Sequence, residues 1–386
     1  MTAPVSSLTH LSCTACDRRE EPETRGATCA DCGGLLACQY EEASGPPERS
    51  SGRRDVFAWA TRLPVRDAER RRGLSEADTP LLPLPHLAEE LGLAELHVKD
   101  DGATAAGTCA RGLVVAAAAQ AERGATGLAL ASAGPGATAC ARLARAHELP
   151  ARLILPSAAT PGFRLEGRLL KTRVVAVLGD QGVAQTWLLD HPGPAGEGEA
   201  DLTPGHEPFA VEGLKTLAYE LVAELGSAPD ALVLPTGSGL GLVGAARGFD
   251  ELGGTRPLLL AAQTEGCAPL ARAFVDGAET CTAWEPSRRT LAEGLRQPNP
   301  TMGRAALATL RAGEGEVATA SESELIAALR RAAKSDGVLL GADGAIGLAC
   351  LEKLSATERL KDRRVVLWNP TSLLRSPETM EAAGVG

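Results

Sequence analysis

Four cysteines near the N-terminus are spaced to hold one metal ion. Cys13-Thr-Ala-Cys16 and Cys29-Ala-Asp-Cys32 make a CxxC–x12–CxxC pattern, followed at once by Gly33 and Gly34. Each CxxC turn lets two thiolates approach one cation, and two turns close a tetrahedral site with no position left open for chemistry. The pattern implies structural zinc, because neither pair follows a strand in a βαβ unit as a redox dithiol would. Cys38 reads as a buried thiol outside the set. A second feature is Pro235-Thr236-Gly237-Ser238-Gly239-Leu240-Gly241, which follows an apolar run and opens a helical one. There Gly237, Ser238, Gly239 and Gly241 either cradle a small anion such as phosphate on backbone N–H groups or merely make a tight strand-to-helix turn.

These residues need a scaffold, and the chain is long enough to build one. At 386 residues it suggests two or three domains. Asp and Glu outnumber Lys and Arg by 49 to 39, giving a net charge of −10. That balance argues against a nucleic-acid partner, which needs a basic face. No apolar run reaches the ~18 residues of a membrane span. The first residues, MTAPVSSLTH, lack the basic and apolar segments of a secretory leader, and the ten cysteines read as reduced thiols, so a cytoplasmic protein is expected. The chain has only six lysines (Lys99, Lys171, Lys215, Lys334, Lys353 and Lys361), with 33 arginines. An arginine here is weak evidence for a phosphate ligand, and each lysine is worth locating.

Organisation is read from punctuation and period. Residues 1–40 form the ribbon, and 41–77 a linker and arm that contain SGPPERSSGRR and RDAERRRG. Beyond them, short apolar runs alternate with helical patterns. The strand candidates are LHVK (96–99), GLALAS (127–132), ARLILP (151–156), VVAVLG (174–179), ALVLPT (231–236), LLLAAQ (258–263) and VVLWNP (365–370). Such runs suit parallel strands buried on both faces between layers of helix. The expectation is two doubly wound αβα domains, at 78–190 and 191–380.

Several motifs make this chain resemble threonine synthase and its relatives, the pyridoxal-phosphate enzymes of fold type II. Leu74-Ser-Glu-Ala-Asp-Thr79-Pro80-Leu81 is similar to the family's GEGxTPL entry, and Leu96-His-Val-Lys99-Asp-Asp101 to its L-V-K-x-E strand. Glu207-Pro208-Phe209-Ala-Val-Glu212-Gly213-Leu-Lys215-Thr216-Leu-Ala-Tyr-Glu220 resembles NPYRLEGxKTIAYE. Thr290 to Gly294 and Ser321 to Leu325 continue the likeness, which spans nearly the whole chain. It implies the fold type II architecture, an N-terminal zinc ribbon and, in the family, a Schiff base between pyridoxal phosphate and a lysine in NPTGSFKDRG.

The matching stretch here is Ala103-Thr-Ala-Ala-Gly107-Thr108-Cys109-Ala110-Arg111-Gly112. Arg111-Gly112 fixes the register, so Cys109 stands at the lysine position, and no lysine lies between Lys99 and Lys171. A thiol adds to aldehydes but supplies neither the imine nor the amine. Pro135 occupies the asparagine position of SSGNAG. Asn369-Pro370-Thr371-Ser372-Leu373-Leu374-Arg375 replaces TGxGLKD, and Gly341-Ala342-Asp343-Gly344-Ala345 replaces EPASA. The sequence therefore reads as a threonine synthase-like pseudoenzyme without the Schiff base, in a binding, regulatory or assembly role, as a homodimer or beside an active paralogue. Two alternatives stand beside it. One is an active lyase of the threonine synthase type drawing on Lys99 or Lys215. The other is a reused cleft with Cys109 as nucleophile or ligand-binding residue.

Overall fold

The computed structural model describes residues 5–41, 47–104, 107, 109–157, 159–193, 198–285 and 288–384. Among them are three sheets. The first is antiparallel, in the order β2 (Arg19–Glu20), β1 (Leu8–Cys13), β3 (Leu36–Tyr40). A four-stranded parallel sheet runs β8 (Arg173–Val177), β7 (Ala151–Pro156), β6 (Gly127–Ala131), β9 (Glu199–Asp201). A six-stranded sheet runs β12 (Glu316–Ala320), β11 (Leu258–Thr264), β10 (Ala231–Pro235), β13 (Arg364–Asn369), β5 (Glu95–Asp100), β4 (Leu81–Pro83), parallel except for β4. All seven apolar runs read as strands form strands.

The chain divides into two compact units. One comprises residues 1–78, 109–216 and 251–253, and the other 79–108, 217–250 and 254–386. This differs from the contiguous division at 190/191 read from the sequence. Sequence order groups LHVK with the strands that follow it, whereas β5 pairs with β13 over six registered residues, from Glu95↔Arg364 to Asp100↔Asn369. A parallel strand finds its partner through a distant crossover, so an apolar run alone does not say which sheet it joins. The helical pattern 213–225 is likewise two helices, Ala210–Leu214 and Thr216–Leu225, meeting at Lys215.

Each unit has its own core, built mostly from Ala, Leu and Val. In the first, Ala129, Ala131, Ile154, Val177, Ala184 and Leu188 pack between the sheet and its helices. The helix Cys109–Glu122 of the same unit is lined with buried alanines, Ala116 to Ala119 being fully inaccessible. It crosses Ala210–Leu214 closely enough that a Cβ on Gly213 would lie 2.0 Å from the Arg111 carbonyl oxygen. Only glycine permits that approach. In the second unit, Val233, Leu260, Val365, Leu367 and Ile346 are all fully or almost fully buried. Its helix Glu322–Asp336 begins in a Ser321/Glu324 capping box and ends at Gly337 with φ 69°.

Candidate functional site

The antiparallel sheet brings the four spaced cysteines together. Their Sγ atoms all lie within 4.8 Å of one another. Cys13–Cys32 and Cys16–Cys32 are 3.4 Å apart and Cys16–Cys29 3.7 Å. Zn–S bonds of about 2.3 Å in a tetrahedron place sulfurs about 3.8 Å apart, so the cluster fits such an ion with slight expansion. The Ala15 N–H donates to Cys13 Sγ at 3.4 Å and helps hold that thiol down to about 7, which favours the thiolate a metal needs. Gly34 is sterically required, since a Cβ there would lie 2.8 Å from Cys13 Sγ. Cys38 is fully buried in β3, outside the cluster.

Within its own unit this sheet is tied to the family-like motif. Tyr40 Oη donates to Glu212 at 2.7 Å, and Lys215 Nζ sits 4.0 Å from the centre of the Tyr40 ring. Gln120 Nε2 donates to the Arg25 carbonyl at 2.9 Å, and Arg25 reaches the Gly198 carbonyl at 2.8 Å.

Cys109 is the first residue of the helix Cys109–Glu122. Its side chain lies outside the described residues, as do residues 105, 106 and 108 of the segment before it. Arg111 is fully buried and donates to Thr216 Oγ1 at 3.2 Å.

The two lysines proposed as substitutes for a Schiff-base residue are fully buried, and each is paired with two carboxylates. Lys99 Nζ lies 2.8 Å from Glu220 and 2.9 Å from Glu224, and it donates to the Thr79 carbonyl at 2.7 Å. Lys215 Nζ lies 2.7 Å from Glu212 and 2.9 Å from Glu251. Using either as a free amine would strip buried carboxylates of the cation facing them, at a cost of several kcal/mol. Lys171, Lys334, Lys353 and Lys361 are exposed.

The glycine loop joins β10 to the helix Leu240–Leu252, as expected. Its glycines have packing reasons of their own. Gly239 has φ 89°, and a Cβ on Gly241 would lie 2.4 Å from the Trp368 ring. Ser238 Oγ accepts from the Leu240 N–H at 3.3 Å, so the serine caps the helix.

At the end of the same sheet, Asn369 is held on both sides. Its Nδ2 donates to Asp100 at 2.7 Å and its Oδ1 accepts from the Gly341 N–H at 3.0 Å. A Cβ on Gly344 would lie 2.1 Å from that Oδ1, so the glycine-rich helix start and the asparagine are fitted to each other. Asp343, between them, is buried, and desolvation pushes its carboxyl up to about 7.

Two further groups stand out, a histidine–aspartate pair that no motif marks and the first residue of the motif that resembles NPYRLEGxKTIAYE. His206 Nδ1 is 2.7 Å from Asp201 Oδ2. Asp201 ends β9 and the intervening turn brings the pair together, a spacing that no motif flags. Glu207 is fully enclosed and accepts from the Phe209 N–H at 2.6 Å and the Ala210 N–H at 3.0 Å. Desolvation by burial outweighs these bonds and raises its carboxyl from the ordinary 4.5 to about 8. The folded state therefore binds a proton more tightly than the unfolded one, so this group favours folding least at high pH. The stability of Glu207→Gln relative to the parent is expected to shift in the variant's favour as pH rises from about 4.5 to about 8. Urea unfolding across that range should show a gain of a few kcal/mol.

This is an α/β protein of fold type II with a cysteine ribbon. A family model described as pyridoxal-phosphate dependent enzyme matches residues 73–371, and the chain belongs to that family. It is 28% identical over 386 residues to a threonine synthase from Methanosarcina acetivorans, covering 96% of this chain and 93% of that protein. It is 32% identical over 301 residues to a threonine synthase from Synechocystis, covering 75% of each. A fungal L-serine ammonia-lyase from Rhizomucor miehei superposes with a TM-score of 0.69 at 19% identity, over 80% of this chain and 99% of that one, a likeness of fold alone.

Proposed function

We propose that this chain is a threonine synthase-like pseudoenzyme. It forms no Schiff base with pyridoxal phosphate and serves a binding, regulatory or assembly role in the cytoplasm, as a homodimer or beside an active paralogue. The observation that carries this reading is the state of the lysines. By the resemblance of its segment Cys109 takes the family's lysine position, and the two buried candidates, Lys99 and Lys215, are each committed to two carboxylates. Residues that match the family's contacts to the cofactor are spent elsewhere, with Asn369 bonded to Asp100 and Gly341. Pyridoxal phosphate held covalently does not fit this residue set. The loop Gly237 to Gly241 would still take a small anion on its backbone, and Cys13, Cys16, Cys29 and Cys32 would hold a structural zinc.

The names of the relatives favour the second reading, a threonine synthase-type lyase. Borohydride separates the two. Protein purified in the presence of pyridoxal phosphate, reduced and mapped by peptide mass spectrometry is expected to be colourless and to carry no pyridoxyl-lysine. A modified lysine at any of the six positions would establish the lyase reading instead. A third reading, with Cys109 as a nucleophile, predicts thiol alkylation at Cys109 that is competed by a ligand.

A further inference from the structure

We propose that the unit containing the six-stranded sheet has a second ligand site, a cavity of about 560 Å³ that takes a zwitterionic amino acid. It lies at the carboxyl ends of two parallel strands, with Thr264 ending β11 and Glu265 and Gly266 following it, and Ser321 and Glu322 following β12. The volume falls in the ordinary range for small-molecule sites.

The frame is fixed by protein bonds. Glu322 accepts from Thr290 Oγ1 at 2.5 Å and from the Leu291 N–H at 3.0 Å, so its carboxylate is used to anchor the segment after Arg289. The Arg288 N–H donates to the Gly266 carbonyl at 3.1 Å, which sets the arginine at the rim. Arg272 lies 4.7 Å from the centre of the Trp284 ring and donates to the Thr282 and Ala283 carbonyls, which holds the indole as one wall.

What remains unspent carries both signs. The side chains of Arg288 and Glu285 pair with no other among the described residues. Arg289 faces Glu378 at 3.6 Å with both side chains about 70% exposed, and Glu265 is 3.8 Å from Lys353. Exposed pairs of that kind contribute little and exchange readily. A simple anion would meet Glu265 and Glu285, and a simple cation would meet Arg288 and Arg289. A zwitterion satisfies both sets, its carboxylate on the arginine fork and its ammonium on the glutamates, with its side chain against Trp284.

The site is independent of whether the chain forms a Schiff base, so the borohydride result does not bear on it. The test is calorimetric titration of the full-length protein with L-threonine, L-methionine, L-lysine and L-glutamate, alongside acetate and methylamine. At least one neutral amino acid is expected to bind, with acetate and methylamine each at least about tenfold weaker. Arg288→Ala should raise its Kd by about tenfold or more, and Glu285→Gln should weaken it in the same direction. Trp284→Phe should abolish a ligand-induced change in tryptophan fluorescence while the heat of binding persists. Both charged side chains are exposed, so these variants fold. No binding by any amino acid at millimolar concentration, equal binding of acetate alone, or binding unchanged in Arg288→Ala overturns the proposal.

Discussion

Replacing Cys13 with serine, or stripping metal with a strong chelator, is expected to unfold the N-terminal ribbon. Protein prepared without chelator should contain about one zinc per chain by elemental analysis, and Cys13→Ser should contain almost none. The expected effect is large because this small sheet has little apolar core of its own. Beside Leu8, Leu11 and Leu36, its buried apolar side chains include Cys13, Cys29 and Cys38 themselves. A handful of buried residues does not offset the ordering of about 35 residues at 1–2 kcal/mol each. Structural zinc sites contribute an apparent ~10–16 kcal/mol at neutral pH in isolated finger peptides. Hydrogen exchange gives the sharpest reading. Amides of β1 and β3 should lose protection on metal removal, while those of β10, β11 and β13 in the six-stranded sheet should keep it. Retained protection in a metal-free ribbon would show that the four thiols pack without an ion. The same loss should reach Tyr40, releasing its bond to Glu212 and its contact with Lys215. A thermal transition at lower temperature, ahead of the main one, is the calorimetric counterpart.

The ribbon was legible because its information is local. Two CxxC turns and a glycine pair specify a ligand set whatever the rest of the chain does, and the cysteines do converge. The strands were legible for a related reason, since a run such as ALVLPT is apolar on both faces only where both faces are covered. What the local pattern could not carry was pairing. Lys99 is an apolar strand's lone cation, and nothing near it announces Glu220 and Glu224, one helical turn apart and more than a hundred residues away. The same holds for β5 beside β13, for His206 beside Asp201, and for Asn369 between Asp100 and Gly341. These are long-range choices made by topology. The glycine loop shows the opposite limit. Its residues predicted a strand-to-helix turn correctly, but Gly241 is also required by Trp368, a contact no loop motif encodes.

Restoring the missing amine alone is expected to leave the protein inactive. Cys109→Lys places a lysine at the family position, at the first residue of the helix Cys109–Glu122. The positive end of a helix disfavours an ammonium and favours a neutral amine, so the substitution is chemically reasonable in itself. The family's other cofactor contacts, as the resemblance assigns them, are not supplied with it. Pro135, which the resemblance to SSGNAG sets at the asparagine position, has helical geometry at the start of Gly136–Ala146 and no N–H to donate. Asn369 has both ends of its amide engaged, and Gly344 meets it too closely to accept any side chain. Repairing that contact would mean breaking a buried network, since Asn369 is 1% exposed. Each absent polar contact is worth roughly 1–3 kcal/mol, and three together amount to several decades in binding or rate. The variant, mixed with pyridoxal phosphate and O-phosphohomoserine, should release neither threonine nor phosphate above the parent's background. Clear turnover would sink the pseudoenzyme reading, because it would mean that a single lysine separates this chain from its catalytic relatives. Around Asn369 the amide, Asp100, the Gly341 N–H and Gly344 are fitted to one another, and a lysine at position 109 leaves all of them as they are.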